Sequence, residues 1–148
     1  MKPAIVILAC ILLFSGCFSP TPKAAEITFP DGFIITAAVA STPEQQALGL
    51  SGRPSLAENG GMLFAYSQPS RPGFWMPDMS FPIDMLFLDA NFTIVDANIN
   101  AQPCPSRSNC PTFTPKADCA YVLEICANCS IRHNATIGSR LKVVLPHA

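Results

Sequence analysis

The side chains with the most chemistry in this sequence are cysteines, seven of them in 148 residues. Five lie in the last third: Cys104, Cys110, Cys119, Cys126 and Cys129. An odd number leaves one thiol free, metal-bound or paired between chains. Cys104 and Cys110 flank Pro-Ser-Arg-Ser-Asn, a polar, turn-rich segment that brings two Cβ atoms close, and the expectation is a local disulfide. Cys126-Ala-Asn-Cys129 is a C-x-x-C at a strand end where a helix could open. That is where a redox dithiol gains from a helix N-terminus, since the thiolate is the reactive form. Cys119, Cys126, Cys129 and His133 together would supply four zinc ligands. There is only one C-x-x-C, no βαβ pattern surrounds it, and Ser130 rather than His follows it, which excludes haem attachment. The leading expectation is a structural disulfide from Cys119 to Cys126 or Cys129, with a redox dithiol and a metal site as alternatives.

Two further constellations stand out. Met62, Phe74, Trp75, Met76, Met79 and Met85 fall in neighbouring short segments. Thioethers can hold Cu(I), but no histidine lies in this stretch, so the expected roles are core or a soft apolar groove. A groove walled by Trp75 and Met76, with a few polar groups, suits a small molecule, glycan or peptide. Asp84 stands inside the apolar run Phe81–Leu88, where a carboxylate is costly unless paired. Arg53 could reach it with a bidentate fork, either as a fold-specifying ion pair or as a ligand-binding pair. Catalytic patterns are sparse: there is no Gly-x-Ser-x-Gly, no His-Glu-x-x-His and no phosphate-cradling glycine loop. Asp84 and Asp89 are five apart and would face opposite sides of one strand, which argues against a shared site with Asp78. An enzyme is therefore not the expectation, and no cofactor is implied. Asn91-Phe-Thr93 matches a glycosylation acceptor, a pattern that arises readily by chance.

The first 17 residues, MKPAIVILACILLFSGC, read as an address. Lys2 precedes an apolar run from Ala4 to Phe14, and Ser15-Gly16 precede Cys17. The run is shorter than the ~20 apolar residues a membrane span needs. Gly16-Cys17 at its end resembles the lipobox of prokaryotic lipoproteins, which implies cleavage before Cys17 and a lipid on it. Residues 1–16 are then a signal peptide and 17–25 a proline-bearing tether. Residues 26–148 form one domain, exported and held to a membrane on its extracytoplasmic side.

That domain must position the candidate residues. Hydrophobic residues make up 49% of the chain and charged residues 13%, which excludes a disordered chain. With 9 Lys+Arg against 10 Asp+Glu there is no basic footprint for nucleic acid. Fifteen prolines argue against long helices. Runs 26–29 and 33–40 around Pro30-Asp31-Gly32 predict a hairpin. Ser41-Thr42-Pro43-Glu44 predicts a short helix ending near Gly49 or Gly52. Strands are expected at 62–66, 73–76, 83–88, 92–99, 121–126 and 141–145, with a helical turn between Asn128 and Ala135. The pattern predicts a mainly β (α+β) fold, a compact antiparallel sandwich or barrel with one or two short helices.

Several of these words occur together in a known order. Thr42 to Arg53, then Gly61-Met-Leu-Phe64, Phe74-Trp-Met76, Pro82-Ile-Asp-Met-Leu-Phe87, Cys104 to Cys110, Tyr121-Val-Leu-Glu124 and Ile137-Gly-Ser-Arg140 resemble the family called domain of unknown function 192. The resemblance spans about residues 27–145. Ser51, Gly52, Cys126 and Cys129 depart from its usual residues. It implies a compact β-rich fold and no assigned activity. The sequence alone thus predicts a lipoprotein binding or accessory module of the cell envelope, using Arg53, Trp75, Met76 and Asp84. A thiol-redox or metal-handling protein and a purely structural one are the alternatives.

Overall fold

The computed structural model describes residues 23–104 and 106–146. The predicted signal peptide, Cys17 and most of the tether lie outside them. Strands β1 (Ala24–Thr28) and β2 (Ile34–Ala40) form the expected hairpin, with Ala24 opposite Ala38 and Thr28 opposite Ile34. Its turn is closed by Gly32 N–H on the Phe29 carbonyl at 2.9 Å and by Phe33 N–H on Asp31 Oδ1 at 2.9 Å. Because β1 begins at Ala24, the sheet takes in the last two residues assigned to the tether.

Helix α1 (Pro43–Leu48) starts where its chemistry requires. The Thr42 hydroxyl accepts from Gln45 N–H, and the Gln45 side chain accepts from Thr42 N–H. This reciprocal cap satisfies two orphan donors. Gly49, at φ 52°, ends the helix in a conformation that glycine adopts at little cost.

The remaining elements are β3 (Gly60–Ser70), β4 (Ile83–Leu88), β5 (Ile94–Ala101), β6 (Cys119–Cys126), α2 (Cys129–Arg132) and β7 (Lys142–Val144). All seven strands join one sheet in the order β5-β4-β6-β3-β2-β1-β7, curled into a half-barrel. The fold is mainly β, as the sequence predicts. Every neighbouring pair is antiparallel except β2 and β3, which run parallel. A parallel pair needs a long crossover, and residues 41–59 supply it with α1 on board. Segment 73–76 is not the strand expected of it. Pro72 and Pro77 flank it, and its pairing is a single bridge from Phe74 to Phe113.

Both faces of the sheet are covered. Ile27, Ile35, Leu63, Leu86, Leu123 and Ile125 pack one core with Cys129 of α2. Met62, Phe64, Met85, Phe87 and Val122 pack the other, beneath Leu50, Phe74 and Met76. This explains why β4 reads Ile-Asp-Met-Leu-Phe-Leu without alternation: all six residues are buried. It also sets Asp84 and Glu124 on opposite faces. Asp84 pairs in register with Ile125 of the first core, and Glu124 pairs with Met62 and Met85 of the second.

Candidate functional site

A cavity of about 530 Å³ opens over the second core. One wall is the end of α1 and the loop after it, from Gln46 to Ser51; the other is segment Gly73–Met79, carrying Trp75 and Met76. Phe64 and Tyr66 of β3 and Glu124 of β6 form the floor, and Arg107 of the disulfide loop reaches the rim. The irregular wall is clamped on three sides. Phe74 and Phe113 exchange both backbone hydrogen bonds, Cys104 N–H donates to the Met76 carbonyl at 3.1 Å, and Gly52 N–H donates to the Asp78 carbonyl at 3.2 Å. Arg107 adds an exposed ion pair to Asp78. Gln46 Nε2–H donates to the Ala65 carbonyl at 2.9 Å and ties α1 to β3. Trp75 is 50% exposed, while Met76 is buried beside it.

Glu124 dominates the electrostatics of this cavity. It is only 6% exposed, no donor among the described residues hydrogen-bonds its carboxyl, and its oxygens open onto the cavity. Burial pushes its pKa up to about 8, with the charge of Arg53 pulling the other way. The acid is thus largely protonated at neutral pH, able to donate one hydrogen bond and accept others. Burial also raises the nearby Tyr66 phenol to about 12, so it too stays neutral. Sequence reasoning missed Glu124 as a site residue. The signal was there: a lone acid in the apolar run from Ala120 to Ile125, the same cue that singled out Asp84.

The structure brings Trp75 and Met76 together and separates them from Asp84. Asp84 is fully buried on the far face. Its Oδ1 accepts from Asn100 N–H and Asn128 N–H, each at 2.8 Å; its Oδ2 accepts from Ser130 N–H at 3.0 Å and Ser130 Oγ–H at 2.5 Å. Asn100 and Asn128 both have left-handed backbones, φ 56° and 59°, which aim their amides at it. The expected fork from Arg53 is therefore replaced by three backbone amides and a hydroxyl. Arg53 is exposed and lines a shallower depression with Thr36, Ala38, Gly60 and Gly61. It acts on the cavity only through its charge on Glu124.

The cysteines sort differently from the leading expectation. Cys104 and Cys110 form the expected disulfide, their Cα atoms 5.1 Å apart. Cys119 is buried at the start of β6 and donates to the Ser70 carbonyl. Cys126 ends the same strand seven positions on, about 23 Å away at the rise of an extended chain. A disulfide between them is out of reach, and so is a shared metal. His133 is committed elsewhere: Nδ1 lies 2.8 Å from Asp31 Oδ2 and its ring stacks on Phe33 at 3.7 Å. The four-ligand zinc set does not assemble. Cys126 and Cys129 remain neighbours, both as free thiols.

A curled β half-barrel is the architecture shared with the similar solved structures. The model of the DUF192 family, described as uncharacterized ACR, matches residues 27–143, and the chain belongs to that family. It is similar to the crystal structure of a candidate transcription regulator from Sinorhizobium meliloti 1021, with 29% identity, TM-score 0.73, and coverage of 83% of this chain and 94% of that one. It shares its fold with a protein of unknown function from Novosphingobium aromaticivorans DSM 12444, at 24% identity, TM-score 0.71, and 80% and 83% coverage. No curated protein matches the chain.

Proposed function

We propose that this protein is a non-catalytic binding module whose cavity holds a small polar molecule, or the end of a glycan or peptide, on the outside of the cell. The observation that carries this reading is Glu124: a carboxyl on a residue only 6% exposed, without a hydrogen-bond donor among the described residues and open to a cavity rimmed by half-exposed Trp75. A ligand hydroxyl or amide would satisfy that carboxyl, while the Trp75 ring offers an apolar face. Export and anchoring through a lipid on Cys17 belong to the same proposal, on the strength of the MKPAIVILACILLFSGC segment. A chain with net charge −1 offers no electrostatic footprint for nucleic acid.

Trp75 is the single tryptophan, so emission excited selectively at tryptophan reports on the cavity. The test is a titration of the mature domain with a panel of cell-envelope oligosaccharides, muropeptides and short peptides. A saturable change in emission that Glu124→Ala abolishes supports the reading. A panel that leaves Trp75 emission and thermal stability unchanged overturns it. Mass spectrometry of the amino-terminal peptide from native membranes tests the anchor: an unmodified Cys17 removes it.

A further inference from the structure

The second site lies away from the cavity, where β6 runs into α2. Cys126 Sγ and Cys129 Sγ each lie 4.0 Å from the same acceptor, the carbonyl oxygen of Glu58. The two thiols thus converge on one carbonyl oxygen. Glu58 holds a third member: its carboxylate pairs with Arg132, at 3.1 Å from Nε and 2.9 Å from Nη2. Arg132 Nη1 also donates to the Ala127 carbonyl at 3.1 Å. Held at both ends, the guanidinium sets Nη2 3.3 Å from Cys126 Sγ. The two thiols differ in access: Cys126 is partly exposed and Cys129 is buried.

We propose that Cys126 and Cys129 are a reversible dithiol–disulfide couple that exchanges with an external disulfide, with Cys126 as the attacking thiol, Cys129 as the resolving one and Arg132 as the positioning residue. The Cys126 thiolate attacks one sulfur of a disulfide R–S–S–R′, forming a mixed disulfide Cys126–S–S–R and releasing R′S⁻. Cys129 then attacks Cys126 Sγ and closes the Cys126–Cys129 bond, its proton passing to the departing sulfur, which leaves as RSH. The protein dithiol gives up two electrons and the external disulfide gains them; the reverse sequence oxidises an external dithiol. Asymmetry of access gives each sulfur one role, because a bulky disulfide reaches only the exposed one. Burial keeps Cys129 protonated, its pKa pushed up to about 12, so it does not compete for the first step. The guanidinium faces the sulfur that carries charge in that step. Helix α2 has only four residues, and the cation beside Cys126 comes from a side chain, that of Arg132.

The experiment equilibrates the mature protein in glutathione buffers of stepped GSH:GSSG ratio, quenches with an alkylating agent and maps each cysteine by mass spectrometry. The Cys126–Cys129 peptide should pass reversibly between dialkylated and disulfide-linked forms, with Cys119 unreactive as an internal control. Cys129→Ser should trap glutathione on Cys126, and Cys126→Ser should trap none on Cys129. Arg132→Gln should slow the attack of Cys126 on GSSG by about tenfold, Arg132→Lys should restore part of the rate, and neither should change unfolding of the dithiol form. A pair that stays reduced at every ratio, or a Cys129→Ser protein that traps no glutathione, overturns the proposal. Where a serine variant does not fold, the wild-type titration alone decides. A Cys126 rate unchanged in Arg132→Gln removes Arg132 from it.

Discussion

Glu124 of β6 stands directly opposite Met85 of β4, so a carboxyl and a thioether lie side by side on one face of the sheet. Met62 of β3 flanks Glu124 from the other side, and Met85 is wholly buried. An acid between two methionines has no local donor to stabilise its charge. It survives there because its far end meets the cavity rather than packed side chains. Pro72 and Pro77 keep segment 73–76 out of the sheet, so the wall arches over Glu124 and leaves room. The cavity is thus a consequence of where regular structure stops.

The raised pKa of Glu124 makes stability depend on pH in a stated direction. The folded state holds this proton up to about pH 8, whereas an unfolded glutamate releases it near 4.5. Between those values the folded state binds one more proton, so stability falls as pH rises. The Glu124 contribution is fully present below about pH 4.5 and is lost as pH climbs through 8. Its slope should reach about 1.4 kcal/mol per pH unit. Glu124→Gln keeps the shape and cannot ionise. Urea unfolding at pH 5, 6.5 and 8 should show the variant losing that slope and exceeding wild type at pH 8. Parallel pH profiles for the two proteins would sink the assignment.

Asp84 carries a structural prediction instead. Its carboxylate satisfies three backbone amides and a hydroxyl, all brought together by β5, α2 and the turn before α2. Asp84→Ala strands these donors and should cost about 3–5 kcal/mol. Asp84→Asn turns an amide N–H2 toward N–H donors and should recover only part of the loss. Hydrogen exchange should quicken first at Asn100, Asn128 and Ser130. An alanine variant within about 1 kcal/mol of wild type would show that water replaces the carboxylate at little cost.

Local chemistry was legible in the sequence wherever a few adjacent residues decide the outcome. The Pro30-Asp31-Gly32 turn, the Thr42-Pro43 helix start and the Cys104–Cys110 bridge all formed as read. Partners set by tertiary register were not legible. The apolar run marks Asp84 as a buried acid in need of partners, but those partners are mainly backbone amides 16 to 46 residues away, and backbone leaves no residue signature. Arg53 is the cation the sequence analysis pairs with Asp84, and its charge acts instead on the other acid, Glu124. Cys119 and Cys126 look like neighbours in a list of cysteines until one strand holds them at its two ends.

The disulfide loop should report on the cavity. Cys104 and Cys110 are six positions apart, and the segment between them carries Arg107 to the rim and anchors Met76 through Cys104 N–H. Replacing both cysteines by serine releases a short loop and should cost about 2–3 kcal/mol on the chain-entropy scale. The exposed Arg107–Asp78 pair is too weak to hold the loop unaided. Trp75, adjacent to the anchored Met76, should then gain mobility and solvent. The double variant should therefore show red-shifted, more readily quenched tryptophan emission, in addition to a lower unfolding midpoint. The Cys126–Cys129 pair is intact in this variant, so the shift cannot come from the dithiol. A lower midpoint with unchanged emission would mean that the Phe74–Phe113 bridge holds the Trp75 wall by itself.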